Sequence, residues 1–426
     1  MMNESRKGVS MSPTAEATPG PAPLRRPLVF LFALACGISA ANLYYAQPVL
    51  GSIATSFHTG SSNVGLIVTF AQIGYAIGLA FIIPLGDMLP RRRLVPSVLL
   101  ITVVGLFVSA FAPNVGVLVA ITLVVGLGSV AAQLLVPMAA SLSSDHERGR
   151  VVGMVMSGLL LGILLARSVS GVIAQLSSWR AVYVIAALMT LALALVLSRL
   201  LPPERERPTV RYAELLRGAV HYFATESLLR RRALFGALGF GAFSVFWTTM
   251  AFLLSGAPYH YNDLTIGLFG LIGAAGALCA NFAGRWADRR WTKPTTLVFA
   301  ALMAFSFLPL WLGRHSLALV IVGILILDVG AQGLQVTNQS LIYRLAPHAR
   351  SRINSSYMVC YFLGGALGSW IGSMTYEHFH WTGVCVLGGA IGLAATALAI
   401  ADSRNKTPHP DPMSAAPAVT ATTSSP

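Results

Sequence analysis

VGVLVAITLVVGLGSVAAQLLVPMA, residues 115–139, contains no charged side chain. Wound as a helix at about 1.5 Å per residue, it exceeds the ~30 Å hydrocarbon core of a bilayer. Runs of the same character recur along the chain at 28–50, 62–86, 94–112, 151–175, 180–201, 233–256, 264–283, 295–313, 316–342, 353–375 and 381–401. They lack the polar–apolar alternation of barrel strands, and backbone groups in lipid must be satisfied within their own segment, so each run is expected to be a spanning helix. Composition agrees. The chain is 55% hydrophobic and 10% charged, with a mean hydropathy of +0.70, where soluble domains carry about 25% charged residues. The expected fold class is an all-α membrane protein with twelve transmembrane helices.

A net charge of +14 raises the question of a nucleic-acid partner. The basic residues answer it by position. All but Arg167, Arg180 and Arg314 fall in the N-terminal tail, the C-terminal tail or the even-numbered gaps between runs, including Arg91, Arg92 and Arg93 in the second gap and Arg230, Arg231 and Arg232 in the sixth. Positive loops mark the cytoplasmic face. Both termini are therefore expected in the cytoplasm and the protein in the cell inner membrane, with the lipid bilayer rather than a nucleic acid as its surroundings. The four cysteines (Cys36, Cys279, Cys360, Cys385) sit inside apolar runs without paired spacing and suggest neither a disulfide nor a zinc site. No GxxxxGK[ST] loop is present to hold nucleotide phosphates. No cofactor or metal is expected. The loops are too short for a folded catalytic domain, so the chain does not read as an enzyme, and a monomer is expected.

The first run starts at Leu28 behind a Pro/Ala/Thr-rich tail and is read as a helix rather than a cleaved signal. Residues 1–27 and 402–426 are poor in apolar content and are expected to be disordered cytoplasmic tails. The halves span 28–201 and 233–401. Between them, 202–232 carries Tyr212, Leu215, Leu216, Ala219, Val220 and Phe223 at helical spacing among charges, the pattern of an amphipathic helix on the inner leaflet. Shifting the chain by 202 residues places Gln133 on Gln335, Arg148 on Arg350, Arg150 on Arg352, Trp179 on Trp381 and Tyr45 on Trp247. Two pseudo-symmetric six-helix halves with a solute site between them near mid-membrane are the architecture of a secondary transporter.

The gap after the second run, PLGDMLPRRRL (84–94), and its repeat partner GRWADRR (284–290) resemble the paired loops of the major facilitator superfamily, with Asp87, Arg91, Arg92, Arg93, Asp288 and Arg289 on the matching positions. That resemblance covers about residues 28–401 and implies alternating access, with these side chains gating the cytoplasmic mouth. NLYYAQP (42–48) is similar to a segment of a bacterial branch near the drug-efflux groups. Two features usual among the antiporters are missing: Thr122 stands where the efflux branch carries an Arg ahead of Gly126, and Ala166–Arg167 replaces a Gly–Pro pair.

Asp328 is the one acidic residue at the middle of a span, where a charge costs about 2.5–3.5 kcal/mol on insertion scales. Gln332, Gln335 and Gln339 lie within about 60° of it on a helical wheel, a polar stripe expected to line a water-filled cavity. Asp328 is either the proton-coupling group or a hydrogen-bonded core residue. Arg167, the other mid-span charge, cannot release a proton at accessible pH; it binds an anionic solute group, pairs with Asp328, or snorkels outward as an anchor. Asn42 and Tyr45, with Phe243 and Trp247 on the equivalent helix, together with Gln133, Gln332 and Gln335, are candidates to line a small-molecule solute, packing being the alternative for the aromatics. Ridges at Gly158–Gly162–Ala166 and Gly364–Gly368–Gly372 are either sliding surfaces between halves or static packing. The expected function is export of small organic or amphiphilic compounds in exchange for protons, with uptake of a small anionic metabolite by proton symport as the alternative.

Overall fold

The computed structural model describes residues 26–144, 146–202, 211–287, 292–345 and 349–404. Most of the tails expected to be disordered, together with Asp288 and Arg289, lie outside these residues, but Arg26 and Pro27 begin α1, and Asp402 to Arg404, expected in the C-terminal tail, are helical and end α14. The first half is built from α1 (Arg26–Ala41), α2 (Leu50–Phe57), α3 (Ser61–Met88), α4 (Arg91–Ala110), α5 (Val115–Gly128), α6 (Ala131–Ser141), α7 (Arg148–Leu176) and α8 (Trp179–Leu200). After α9 (Tyr212–Thr225) follow α10 (Ser227–Ser255), α11 (Asp263–Ala287), α12 (Thr292–Leu312), α13 (Leu317–Leu345) and α14 (Arg350–Arg404). The long α14 bends at His380, whose φ of 52° is left-handed, and its two arms are the eleventh and twelfth spans. Asn114, Ser178 and Asn262 cap α5, α8 and α11 by accepting the N–H three residues on, which satisfies donors the helix itself leaves open.

Two expected helices are interrupted. Pro48 has no N–H to give the Tyr44 carbonyl, and its ring crowds that carbonyl. Residues 42–46 accordingly lose regular α-helical hydrogen bonding and form turns, Gln47 N–H reaches Tyr44 O at 3.3 Å, and a 3₁₀ turn over Gln47–Val49 leads into α2. The first span thus continues to Phe57 rather than ending at residue 50. A lesser break between α5 and α6 falls at Ser129 and Val130, where the Ser129 hydroxyl takes the Val125 carbonyl.

The glycine ridges pack inside each half, not between halves. A Cβ at Gly162 would lie 2.2 Å from the Gly37 carbonyl oxygen, and at Gly364 2.3 Å from that of Ala237, so α7 grips α1 as α14 grips α10. The halves meet along two other seams, α3 against the first arm of α14 and α7 against α11. The first is linked along its length by Glu377 accepting from Ser62 N–H (2.7 Å), by the Ser369 hydroxyl on the Gly65 carbonyl (3.4 Å) and by that of Ser355 on Leu79 (2.8 Å). The second is tight at the end away from the arginine-rich loops, where Ser168 bonds the Gly267 carbonyl at 3.0 Å and Ser52 bonds Asp263. Toward the arginine-rich end, a Cβ at Gly149 or Gly153 would meet nothing within 4 Å. At that end α9 lies across the first seam rather than apart from the bundle: its Tyr212 hydroxyl bonds the Phe81 carbonyl (2.8 Å) in one half, and its Ala219 carbonyl accepts from Ser356 (3.2 Å) in the other.

Candidate functional site

The unwound segment of the first span places Tyr44 and Gln47 against Arg167 of α7. The guanidinium carbon lies 4.0 Å from the Trp247 ring centroid, 5.0 Å from that of Tyr44 and 5.9 Å from that of Phe243, a cage in which the ring faces attract the cation. Nε donates to Gln47 Oε1 at 2.8 Å, while Nη2 has no hydrogen-bond partner. The residue is 3% exposed, so the outward-snorkelling alternative does not hold. Across from it, Gly270 of α11 makes room for the stem: a Cβ there would stand 2.9 Å from Arg167 Cβ.

Asp328 of α13 is also 3% exposed. Its fit depends on two glycines of α11, because a Cβ at Gly276 would lie 2.8 Å from Asp328 Cβ and one at Gly273 would meet both Trp247 (2.6 Å) and Asp328 Oδ1 (3.3 Å). Asp328 Oδ2 and the Trp247 indole Nε1 make no hydrogen bond of good geometry, although the indole N–H lies close enough to the carboxyl to interact with it. Arg167 and Asp328 sense each other's charge, yet they form no ion pair within 4.0 Å. A cation from one half and an anion from the other therefore flank a single indole, each with an open polar atom. An unmatched polar atom in a buried site is costly, which marks the place where a ligand or a proton would act.

The remaining candidates divide. Phe243 belongs to the cage and stacks on Phe240 at 5.7 Å. Asn42 lies buried in the unwound segment with both amide atoms unpartnered. Tyr45 is elsewhere: it borders an apolar groove of about 310 Å³ between α1, α7 and α8, with Phe30, Leu34, Leu161 and Ile185. Its neighbour Tyr44 faces the cation. Gln133 donates to the Tyr75 hydroxyl at 3.3 Å, and Tyr75 packs on Phe362 of the other half at 4.3 Å.

The glutamines of the stripe are part-exposed and make local contacts. Gln335 accepts from the Tyr357 hydroxyl, and both Gln335 and Gln339 reach Met358 Sδ, at 3.7 and 3.8 Å. Gln332 is half-buried and makes no hydrogen bond among the described residues. The neighbouring Asn338, unnoticed in the sequence because it lies off the stripe, is wholly buried with both amide atoms unpartnered.

At the arginine-rich end Asp87 pairs with Arg91 at 3.5 Å, joining the ends of α3 and α4, and Arg91 Nε also bonds the Gly86 carbonyl at 3.2 Å. Arg92 and Arg93 are exposed and take no part among the described residues. Three polar contacts had no signal in the sequence, since each of their acidic members reads as an ordinary loop or helix-end residue. Asp402 holds buried Arg232 at 2.8 Å and Arg231 at 3.1 Å. Asp263 accepts from Ser52 at the rim of a polar pocket of about 530 Å³, where burial raises its carboxyl above the usual range and the Ser52 hydroxyl opposes the rise. Glu377 is held below its ordinary value by the hydrogen bonds from Ser62.

The sequence pattern described as Major Facilitator Superfamily matches residues 32–369 and 282–424. The chain is 46% identical to the transporter YgaY of Escherichia coli (strain K12) over 86% of this chain and 93% of that protein. It is 24% identical to a protein of Helicobacter acinonychis (strain Sheeba) described as a sugar efflux transporter, again over 86% and 93%. A crystal structure of a D-xylose–proton symporter superposes with a TM-score of 0.69 at 19% identity, covering 87% of this chain and 96% of that one, a likeness of fold.

Proposed function

This chain belongs to the Major Facilitator Superfamily and is a multi-pass membrane transporter; on that premise, we propose that it exports small organic or amphiphilic compounds in exchange for protons, with Asp328 as the coupling group. The observation that carries the proposal is a carboxyl buried at mid-span, one oxygen open, near Trp247, whose ring face also holds a fixed cation. A carboxyl can take up and release a proton in such a place, whereas a guanidinium cannot. Proton uptake alters the charge balance of the cluster, and with it the relative free energy of two access states.

The bias of basic residues puts the arginine-rich end in the cytoplasm. The contacts Ser52–Asp263 and Ser62–Glu377 then close the outer mouth, and Asp87–Arg91 belongs to the inner one. Export is favoured by the likeness of NLYYAQP to the branch near the drug-efflux groups and by the efflux description of the Helicobacter relative. Uptake of a small anion by proton symport is the second reading, favoured by the open Nη2 of Arg167. Membrane vesicles of both orientations, carrying an internal pH indicator and challenged with candidate solutes, separate the two. Exchange predicts that solute entering everted vesicles drives protons out, and co-movement of solute and protons in the same direction would replace export with symport.

A further inference from the structure

We propose that the solute recognised at this site is a small zwitterion whose carboxylate is taken by Arg167 and whose protonated amine is taken by Asp328. The inference rests on the transporter reading above and gives its site a substrate class. Two buried charged groups there have an open polar atom, Arg167 Nη2, a donor, and Asp328 Oδ2, an acceptor, and the Asn42 amide is unpartnered in the turn segment that also carries Tyr44 and Gln47. The two charged groups are opposite in sign, come from different halves and do not bridge. Each is held in place by something else. Gln47 and the aromatic cage fix the guanidinium, and Gly273 and Gly276 leave just enough room for the carboxylate. A purely structural ion pair would close up, because two buried charges repay their desolvation only through direct, well-hydrogen-bonded contact.

Gly270 faces the stem of Arg167 and Gly273 faces Asp328, so the two side chains reach the same face of α11 about one helical turn apart along its axis. A neutral solute leaves both open atoms unmatched, an anion leaves Asp328, and a cation leaves Arg167. Only a molecule with both charges completes the site. The groups that face the carboxylate are Arg167 of α7, the Trp247 indole of α10 and Tyr361 of α14, while α11 presents glycines. An amine bound to Asp328 and a proton on Asp328 exclude one another, which is the competition that exchange requires. Binding the zwitterion displaces the proton from the carboxyl, and protonation of the carboxyl releases the ammonium.

The test uses the purified full-length chain in detergent. It is screened by thermal shift against the twenty standard L-amino acids, β-alanine, γ-aminobutyrate and δ-aminovalerate. Each compound that binds is then compared by calorimetry with its amide, which lacks the carboxylate, and its N-acetyl derivative, which lacks the charged amine. At least one zwitterion should bind, with each derivative weaker by ten-fold or more. In Arg167→Gln the amide should bind as well as the zwitterion, and in Asp328→Asn the N-acetyl derivative should. Absence of any bound zwitterion, or equal affinity for either derivative in the unchanged protein, overturns the proposal whether or not the variants fold. A zwitterion that binds with this discrimination but moves no protons in vesicles would leave the substrate class standing and defeat the exchange reading instead.

Discussion

The two halves repeat one another, and the site lies where they cease to. Ala71 of α3 and Gly126 of α5 occupy the places that Gly273 of α11 and Asp328 of α13 hold in the second half. In the first half the glycine is on α5, and a Cβ on it would sit 1.9 Å from the Ala71 carbonyl oxygen. In the second half the glycine has moved to the facing helix, and the space it vacates accepts a carboxylate. The neighbouring contact is preserved, Gly74 against the Leu123 carbonyl and Gly276 against that of Leu325. The first spans differ too. Pro48 breaks one, while its counterpart Met250 leaves α10 continuous from Ser227 to Ser255. One exchange of size and one proline turn a symmetric scaffold into an asymmetric binding site.

The largest effect expected from this asymmetry is at its tightest contact. Gly126→Ala forces a methyl group into backbone, which cannot yield, and should cost at least the ~1–3 kcal/mol of overpacking, seen as a large loss of folded protein by size-exclusion fluorescence. Gly273→Ala presses on the Trp247 and Asp328 side chains, which can move, and should fold near the parental level while losing solute binding. Equal folding defects in the two would remove the distinction between a packing half and a charged half.

Next in size is the break in the first span. Met250→Pro should destabilise by about 3 kcal/mol, the cost of a proline inside a helix. Pro48→Ala should leave stability unchanged or raised, since residue 48 can again give Tyr44 O its α-helical N–H in place of the longer bond from Gln47, while transport falls ten-fold or more as Tyr44 and Gln47 leave Arg167. Thermal unfolding and uptake measured side by side check both. Full transport by Pro48→Ala would show that the unwound segment has no part in the site.

The smallest effect is at the outer mouth. The Glu377 carboxyl is held low by Ser62, so its hold on α3 is complete above the ordinary carboxylate range and is lost as external pH falls through the lowered value. An exposed contact of this kind contributes about 0–1 kcal/mol. A cysteine at Ser373, buried in the same seam beside Gly65, should react slightly faster with an impermeant thiol reagent in Glu377→Gln than in the parent, and the difference should shrink under strong acid. No difference at neutral pH would leave Glu377 without a role in closing that mouth.

Much of the scaffold was legible. Apolar runs separated by basic gaps marked the spans, and the 202-residue offset aligned the two halves, but it did not single out Ala71 or Gly273, because a small residue in an apolar run carries no signal of the contact it permits. The break at residues 42–46 was legible too, because Pro48 stands inside an apolar run, but reading 28–50 as one helix passed over it and so selected Tyr45 in place of Tyr44. One residue on an unwound segment changes which side chain faces inward, and helical periodicity does not extend across such a break. Arg167 and Asp328 stood out because charge is rare at mid-span. Gln47, Asn338, Asp263 and Glu377 did not, since a polar residue near a helix end or a break looks the same whether it faces water or a neighbouring helix.

The central claim is that Asp328 alone couples solute movement to protons. Proteoliposomes containing the parent or Asp328→Asn, loaded with a zwitterionic solute found by the binding screen, can be given an imposed pH gradient or left without one. The amide keeps the shape and removes the titration, so Asp328→Asn should show downhill exchange at saturating solute but no accumulation driven by the pH gradient, while the parent shows both. Accumulation by Asp328→Asn that still follows the pH gradient would contradict the account and move the proton to another group.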